Sequence, residues 1–274
     1  NGGLAMPAAI DMYVCVALKR NSQKLLNAYS VNLDKTFSSE LDDDLEGDLW
    51  IKYVKGTVYE IYKKYNIKEG VDILINSSLS MESGLSSSAA LEVSISNGLV
   101  ALFEIDSTDK EIIKLCQKVD HDHIKIKSGT LDQSASQLSR DGSVLKLDFG
   151  ENTHEYIENN CSNCSWMIVD SMIKRELANS KYHERVLECD QALRIIRKSI
   201  GDKRGFNDIR SDDLSKIMST GSISYKRAKH IIDENSRVQK MEGFLRENNL
   251  KKIGELLSQS HQSLRDNYQV SCIE

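Results

Sequence analysis

Mixed α and β structure in two domains is the fold class this sequence predicts, and three observations carry it. The 274 residues are roughly two domains' worth of chain. Apolar residues in the first half switch repeatedly between a spacing of two, which suits a strand, and a spacing of three to four, which suits a helix. The second half keeps mostly the helical spacing, broken by at least one strand-like run.

The elements follow in order. Leu4 to Arg20 is largely apolar with β-branched residues near its end, and Lys24 to Asn32 follows a polar Asn21-Ser22-Gln23 turn, so two sequential strands are expected. After the acidic Glu40 to Asp44 patch, Trp50, Tyr53, Val54, Thr57, Val58, Ile61, Tyr62 and Tyr65 form a helical stripe. Val71, Ile73 and Ile75 alternate as a strand does. A serine-rich loop then leads into a helix marked by Leu91, Ile95, Leu99 and Leu102. Ile112, Cys116 and Val119 predict another helix, and Leu145, Leu147 and Phe149 a strand after the Asp141-Gly142 turn. Trp166 to Val169 reads as a buried strand. Helical spacing then runs through Val186 to Ile200, Ala228 to Leu245 and Leu250 to Leu264. The polar Glu151 to Ser165 segment is the expected boundary, giving domains 1–158 and 159–274.

Composition removes several classes of function. Lys plus Arg at 36 against Asp plus Glu at 41 leaves a net charge of -5, which offers no broad field to a nucleic acid or an anionic membrane. The six cysteines are too sparse for a secreted disulfide scaffold, and no apolar run reaches the ~18 residues of a membrane span. A soluble, cytoplasmic protein with reduced thiols is expected. Cys161-Ser162-Asn163-Cys164 lacks the second ligand pair of a structural zinc site and reads as a loop with two thiols. His121-Asp122-His123 reads as a surface helix end, and Lys226 to Lys229 as a solvated helix face.

Gly84-Leu85-Ser86-Ser87-Ser88-Ala89-Ala90-Leu91-Glu92 is the most informative stretch. It sets a glycine and three hydroxyls at the start of an apolar helix, where unpartnered N–H groups and the helix dipole favour phosphate oxygens. One serine could instead be a simple N-cap, but a single cap does not need three. No GxxxxGK[ST] occurs, so this is not a Walker A loop. Farther on, Asp132 in Gly129-Thr130-Leu131-Asp132-Gln133 is by pattern alone either a turn residue or a base.

Gly84 to Glu92 resembles the second signature of the GHMP small-molecule kinases in the form found in galactokinases. Asn1-Gly2-Gly3 with Pro7-Ala8-Ala9-Ile10-Asp11 resembles the strand after the family's first signature, Trp50 to Gly56 its early helix, and Gly129 to Gln133 its catalytic loop. Lys174-Arg175, Ser180-Lys181-Tyr182, Arg227 to His230 and Ser260 to Asp266 continue in family order to Ser271-Cys272. The resemblance implies a two-domain α+β fold with a ferredoxin-like C-terminal domain, ATP and Mg²⁺ as cofactors, and a monomer that phosphorylates the anomeric hydroxyl of galactose. It implies phosphate binding by Gly84, Leu85, Ser86, Ser87 and Ser88, metal binding by Ser88 and Asp120, and proton acceptance by Asp132. Gly129, Asp132 and Tyr182 would meet the sugar, and Trp50 either lies beside adenine or packs in the core.

The chain departs from the family in several places. Glu82 replaces a glycine beside the phosphate loop, Asp120 stands for a glutamate, Lys127-Ser128 replace Pro-Cys, and Ile273 replaces a proline. A chain with one proline in 274 residues loses such positions by composition. The resemblance puts the first signature, with an arginine that pairs the catalytic aspartate, just before Asn1 and the third beyond Glu274. The chain is therefore read as a partial sequence, a poor catalyst as it stands. An N-acetylgalactosamine kinase and a non-catalytic sugar- and ATP-binding regulator are the alternatives, and the intact Ser86-Ser87-Ser88 run favours an enzyme.

Overall fold

The computed structural model describes residues 2–40, 46–79, 83–161, 164–165, 167–172, 178–202 and 205–272, with backbone alone at 178–183. Asn1, the Leu41 to Asp44 part of the acidic patch, Glu82, Trp166, Lys174-Arg175 and Ile273 lie outside the described residues. The chain divides into two compact units, one of Ala9–Ser139 and the other of Asn1–Ala8 with Arg140–Glu274.

The chain opens on a two-residue strand, β1 (Leu4–Ala5), whose partner is far along the sequence. The 9–139 unit then builds β2 (Val14–Asn21), β3 (Leu25–Ser30), β4 (Lys35–Glu40), α1 (Leu49–Tyr65), β5 (Gly70–Ser77), α2 (Ser87–Leu102) and α3 (Asp109–Val119). A five-residue π-turn, Asp120–Ile124, extends α3, and α4 (Leu131–Leu138) closes the unit. The sheet runs β2-β5-β3-β4, with only the central β3–β5 pair parallel. Its inward residues Leu26, Ala28, Val71, Ile73 and Ile75 pack on Val54, Val58 and Ile61 of α1 and on Ile95 and Leu99 of α2. Burying an aliphatic chain of this size stabilises by about 1.5–3 kcal/mol, so this cluster holds the two helices on the sheet. α3 starts on a capping box in which Thr108 and Glu111 satisfy each other's backbone N–H.

The other unit holds β6 (Ser143–Asp148), β7 (Thr153–Glu158), α5 (Ala178–Ile200), α6 (Ser211–Ile217), α7 (Ile223–Arg246), α8 (Leu250–Ser263) and a second π-turn, Leu264–Tyr268. Its antiparallel sheet runs β1-β6-β7 with Leu4 opposite Asp148. Val144 and Ile157 of that sheet pack with Leu245 of α7 and Ile253 of α8. A second core joins Ala192 and Ile196 of α5, Leu214 of α6, and Ala228 and Ile232 of α7.

Three expectations change. Leu4 to Arg20 is not one strand, because β1 leaves to pair with β6 while β2 pairs with β5. The 167–169 stretch forms no strand and is exposed, with Met167 at 86% and Val169 at 81%. The expected break near 158 moves to Ser139–Arg140, because β6 and β7 hydrogen-bond with β1 and pack on the later helices.

Candidate active site

The phosphate-loop candidates stand at the start of α2. Gly84 (φ 80) and Ser86 (φ 55) both take left-handed backbone, and Ser86 caps the helix without a side-chain hydrogen bond. Holding a serine there costs of order 1–3 kcal/mol, a cost that tends to collect at binding loops. The first ladder bond runs from Ala90 N–H to Ser86 C=O at 3.1 Å, so the N–H groups of Ser87, Ser88 and Ala89 precede the ladder. No described group accepts from them. Ser86 is therefore not a side-chain cap, and three N–H donors at the start of α2 have no described acceptor.

Ser88 lies beside Asp120. The buried Tyr53 hydroxyl on α1 stands near both: burial raises its pKa, the Asp120 charge adds to the rise and Ser88 opposes it. Asp120, 6% exposed, also accepts from Ser128 Oγ at 2.6 Å and from Gln133 Nε2 at 2.9 Å. Burial raises its pKa, and the hydrogen bonds from Ser128 and Gln133 offset only part of that rise. Next to it Glu92 of α2 is fully buried, and burial together with the Asp120 charge pushes its carboxyl up to about 9. Gln133 joins the two, since its Nε2 also faces Glu92 Oε2 at 3.4 Å. No described lysine or arginine pairs with either acid.

A buried carboxylate without a counter-cation, next to a serine hydroxyl at an open helix start, fits Mg²⁺ chemically. That ion takes one or two protein ligands and keeps its waters. Among the described residues no cluster of three or more His, Cys, Asp or Glu could hold a metal ion. The Ser128 departure has a purpose here, because its hydroxyl secures the shorter Asp120.

Asp132 sits in the first turn of α4, exposed, and among the described residues nothing bonds to its carboxylate. Its neighbour Gln133 is 2% exposed and tied to Asp120, so one turn of α4 presents Asp132 outward while fixing the metal candidate inward. A Cβ on Gly129 would meet nothing within 4 Å, so the fold itself does not require glycine there. Trp50 packs edge-on against Phe37 at 5.4 Å beside the core, and its buried Nε1–H has no well-formed partner. Tyr182 lies in α5, with its side chain outside the described residues.

Tyr53, Glu92, Ser128 and Gln133 lie inside the motifs, but no local pattern marks their part in this cluster. Two features differ from expectation. His123 is not on a surface helix end, because it is nearly buried and its Nε2 meets Glu60 Oε1 at 2.7 Å. Arg227 is not on a solvated face, being 1% exposed and paired with Glu188.

Residues 52–140 match the family model described as the GHMP kinases N terminal domain. The galactokinase of Thermosipho africanus is 33% identical over 274 residues, covering all of this chain and 75% of its own length. That of Clostridium acetobutylicum is 36% identical over 283 residues, covering all of this chain and 72% of its own. The crystal structure of Lactococcus lactis galactokinase complexed with galactose superimposes with a TM-score of 0.86 at 28% identity, covering all of this chain and 72% of that one. A mevalonate kinase from Methanococcus jannaschii shares the fold at a TM-score of 0.62 and 17% identity. The α+β fold, the family match over 52–140 and these relatives together define the class, the GHMP kinases. Within that class the chain belongs to the galactokinase family.

Proposed function

We propose that this chain transfers the γ-phosphoryl group of ATP to the anomeric hydroxyl of galactose, giving galactose 1-phosphate and ADP. The observation that carries the reading is buried Asp120, which accepts from Gln133 on the turn that bears Asp132 and lies near the Tyr53 hydroxyl that also neighbours Ser88 at the start of α2. Gly84 to Ser86 and the N–H groups of Ser87, Ser88 and Ala89 receive the phosphates. Ser88 and Asp120 would hold Mg²⁺, which offsets charge on the phosphate oxygens when bound. Asp132 orients the sugar hydroxyl and takes its proton late, as suits a largely dissociative transfer in which a weak base suffices. The Gly129 backbone is assigned to the sugar, and Trp50 to one edge of the adenine pocket.

The test uses the full reading frame of the gene and follows ADP release with galactose, N-acetylgalactosamine and glucose. Galactose-dependent release is expected, and Asp132→Asn lowers kcat by about 10²–10⁴ at unchanged galactose affinity. ADP release that ignores the sugar, or an Asp132→Asn enzyme as fast as its parent, overturns the reading.

A further inference from the structure

Glu60 lies on α1, 3% exposed, with both carboxylate oxygens engaged. Oε2 accepts from Lys118 Nζ at 2.7 Å and Oε1 meets His123 Nε2 at 2.7 Å. These partners straddle Asp120: Lys118 is two residues before it at the end of α3, and His123 three residues after it in the π-turn. Tyr59 adds an edge-on contact to the His123 ring at 5.4 Å. The helices approach closely, because a Cβ on Gly56 would stand 2.9 Å from Val119 Cγ1 and 3.3 Å from the His123 ring. One carboxylate on α1 therefore grips the segment on both sides of the residue that turns toward Ser88.

The Asp120 N–H still bonds the Cys116 carbonyl in α-helical register, and the wider π-type bond comes after it, from Lys125 N–H to the Asp120 carbonyl. The direction of Asp120 is therefore set by where the end of α3 is held against α1. We infer that Glu60 is a positioning residue that holds the end of α3 and the following π-turn against α1 through Lys118 and His123 and so aims Asp120 at the metal of a bound metal–nucleotide. The inference rests on the reading of Asp120 as the metal carboxylate. Glu60 touches neither nucleotide nor sugar and acts through the backbone it holds.

The experiment is calorimetric, on the full-length protein. ATP affinity is measured with Mg²⁺ and with EDTA, galactose affinity is measured alongside, and the parent is compared with Glu60→Gln, Lys118→Met and Asp120→Asn. Glu60→Gln is expected to cut the Mg²⁺-dependent gain in ATP affinity by about 10- to 100-fold, the usual cost of losing a group that orients a metal ligand. Its metal-free ATP affinity and galactose affinity stay at the parent's values. Lys118→Met, which severs one arm at a half-exposed side chain, gives a smaller loss of the same kind and decides the matter should Glu60→Gln fail to fold. A full Mg²⁺ gain in the folded variants, or an equal loss of all three affinities, overturns the clamp. Should Asp120→Asn itself keep the full gain, the metal reading of Asp120 fails, and the clamp assignment falls with its premise, by a distinguishable result.

Discussion

The π-turn that ends α3 and the π-turn that ends α8 share a backbone plan. Each spans five residues and stops at a left-handed residue, Lys125 (φ 66) or Gln269 (φ 58), whose N–H returns to the carbonyl of the turn's first residue. They differ in what they do with charge. At 264–268 the buried Arg227 guanidinium donates to the Asn267 carbonyl, to Gln269 Oε1 at 3.0 Å and to Glu188 Oε2 at 2.6 Å. Arg185 gives Glu188 a second bond at 2.6 Å and reaches the Gln269 carbonyl at 3.3 Å. Burial alone would raise the Glu188 pKa, yet the two arginines hold it below the usual range. At 120–124 Asp120 and the adjacent Glu92 have no such cation, and both are pushed up. Half-buried Glu188 is held ionised by two arginines, whereas Glu92 is held protonated by burial and Asp120 has no described lysine or arginine beside it, which makes the first turn the candidate for a positive charge brought by a ligand.

The sharpest way to break that comparison is to remove one charge from each turn. Arg227→Met leaves Glu188 to Arg185 alone and takes the buried donor from the Asn267 carbonyl and Gln269 Oε1, and is expected to cost about 3–5 kcal/mol of stability by urea unfolding at pH 7. Nucleotide affinity of the folded fraction should not change. Asp120→Asn is expected to do the reverse, holding or raising stability while the Mg²⁺ gain in ATP affinity drops. Equal destabilisation by both variants would show that the two turns do the same job.

The next test concerns Glu92. With its carboxyl raised from 4.5 to about 9, the native state keeps a proton that the unfolded state has lost. The stability it confers is complete below 4.5 and is lost as pH rises through 9. The slope is at most about 1.4 kcal/mol per pH unit, so unfolding at pH 6 and at pH 8 should differ by up to about 2.7 kcal/mol. Glu92→Gln, nearly the same shape, should flatten that slope. A variant with the parent's slope would place Glu92 ionised in the native protein and remove the premise of an uncompensated pair.

Legibility in the sequence followed locality. Ser88 and Asp132 stand out because their chemistry lies in short motifs, Asp120 is marked by the family resemblance alone, and α1, α2 and α5 stand out because their apolar stripes are long. The Glu60 grip joins positions 60, 118 and 123, and no periodicity links residues so far apart. Arg227 sits in a basic run that reads as solvated, and its burial follows from Glu188 on another helix. The strands β4 (KTFSSE) and β7 (THEYIE) carry one or two inward residues each, too few for alternation to show. The apolar stretch at 167–169 misleads for the opposite reason, since it has strand composition and no neighbouring strand.

The smallest expected effect sharpens the comparison from the acid side. His230 on α7 stacks on Tyr268 of the second π-turn at 4.5 Å, and its Nδ1 meets Ser263 Oγ at 2.9 Å. Burial depresses its pKa to about 4, against an opposing pull from Glu234. The native ring stays neutral while the unfolded one binds a proton below 6.5, so this stability is present above 6.5 and is lost as pH falls through 4. Between pH 6.5 and 5.5 the loss should be at most about 1.4 kcal/mol. The two turns therefore limit the protein from opposite sides, the first through a carboxyl that resists ionising and the second through an imidazole that resists protonation. Urea unfolding from pH 5 to 9 separates them: His230→Gln should lift only the acid flank and Glu92→Gln only the alkaline one. Movement of both flanks by either variant would mean that the buried charges of the two units are coupled, and the contrast between the two turns would then have to be abandoned.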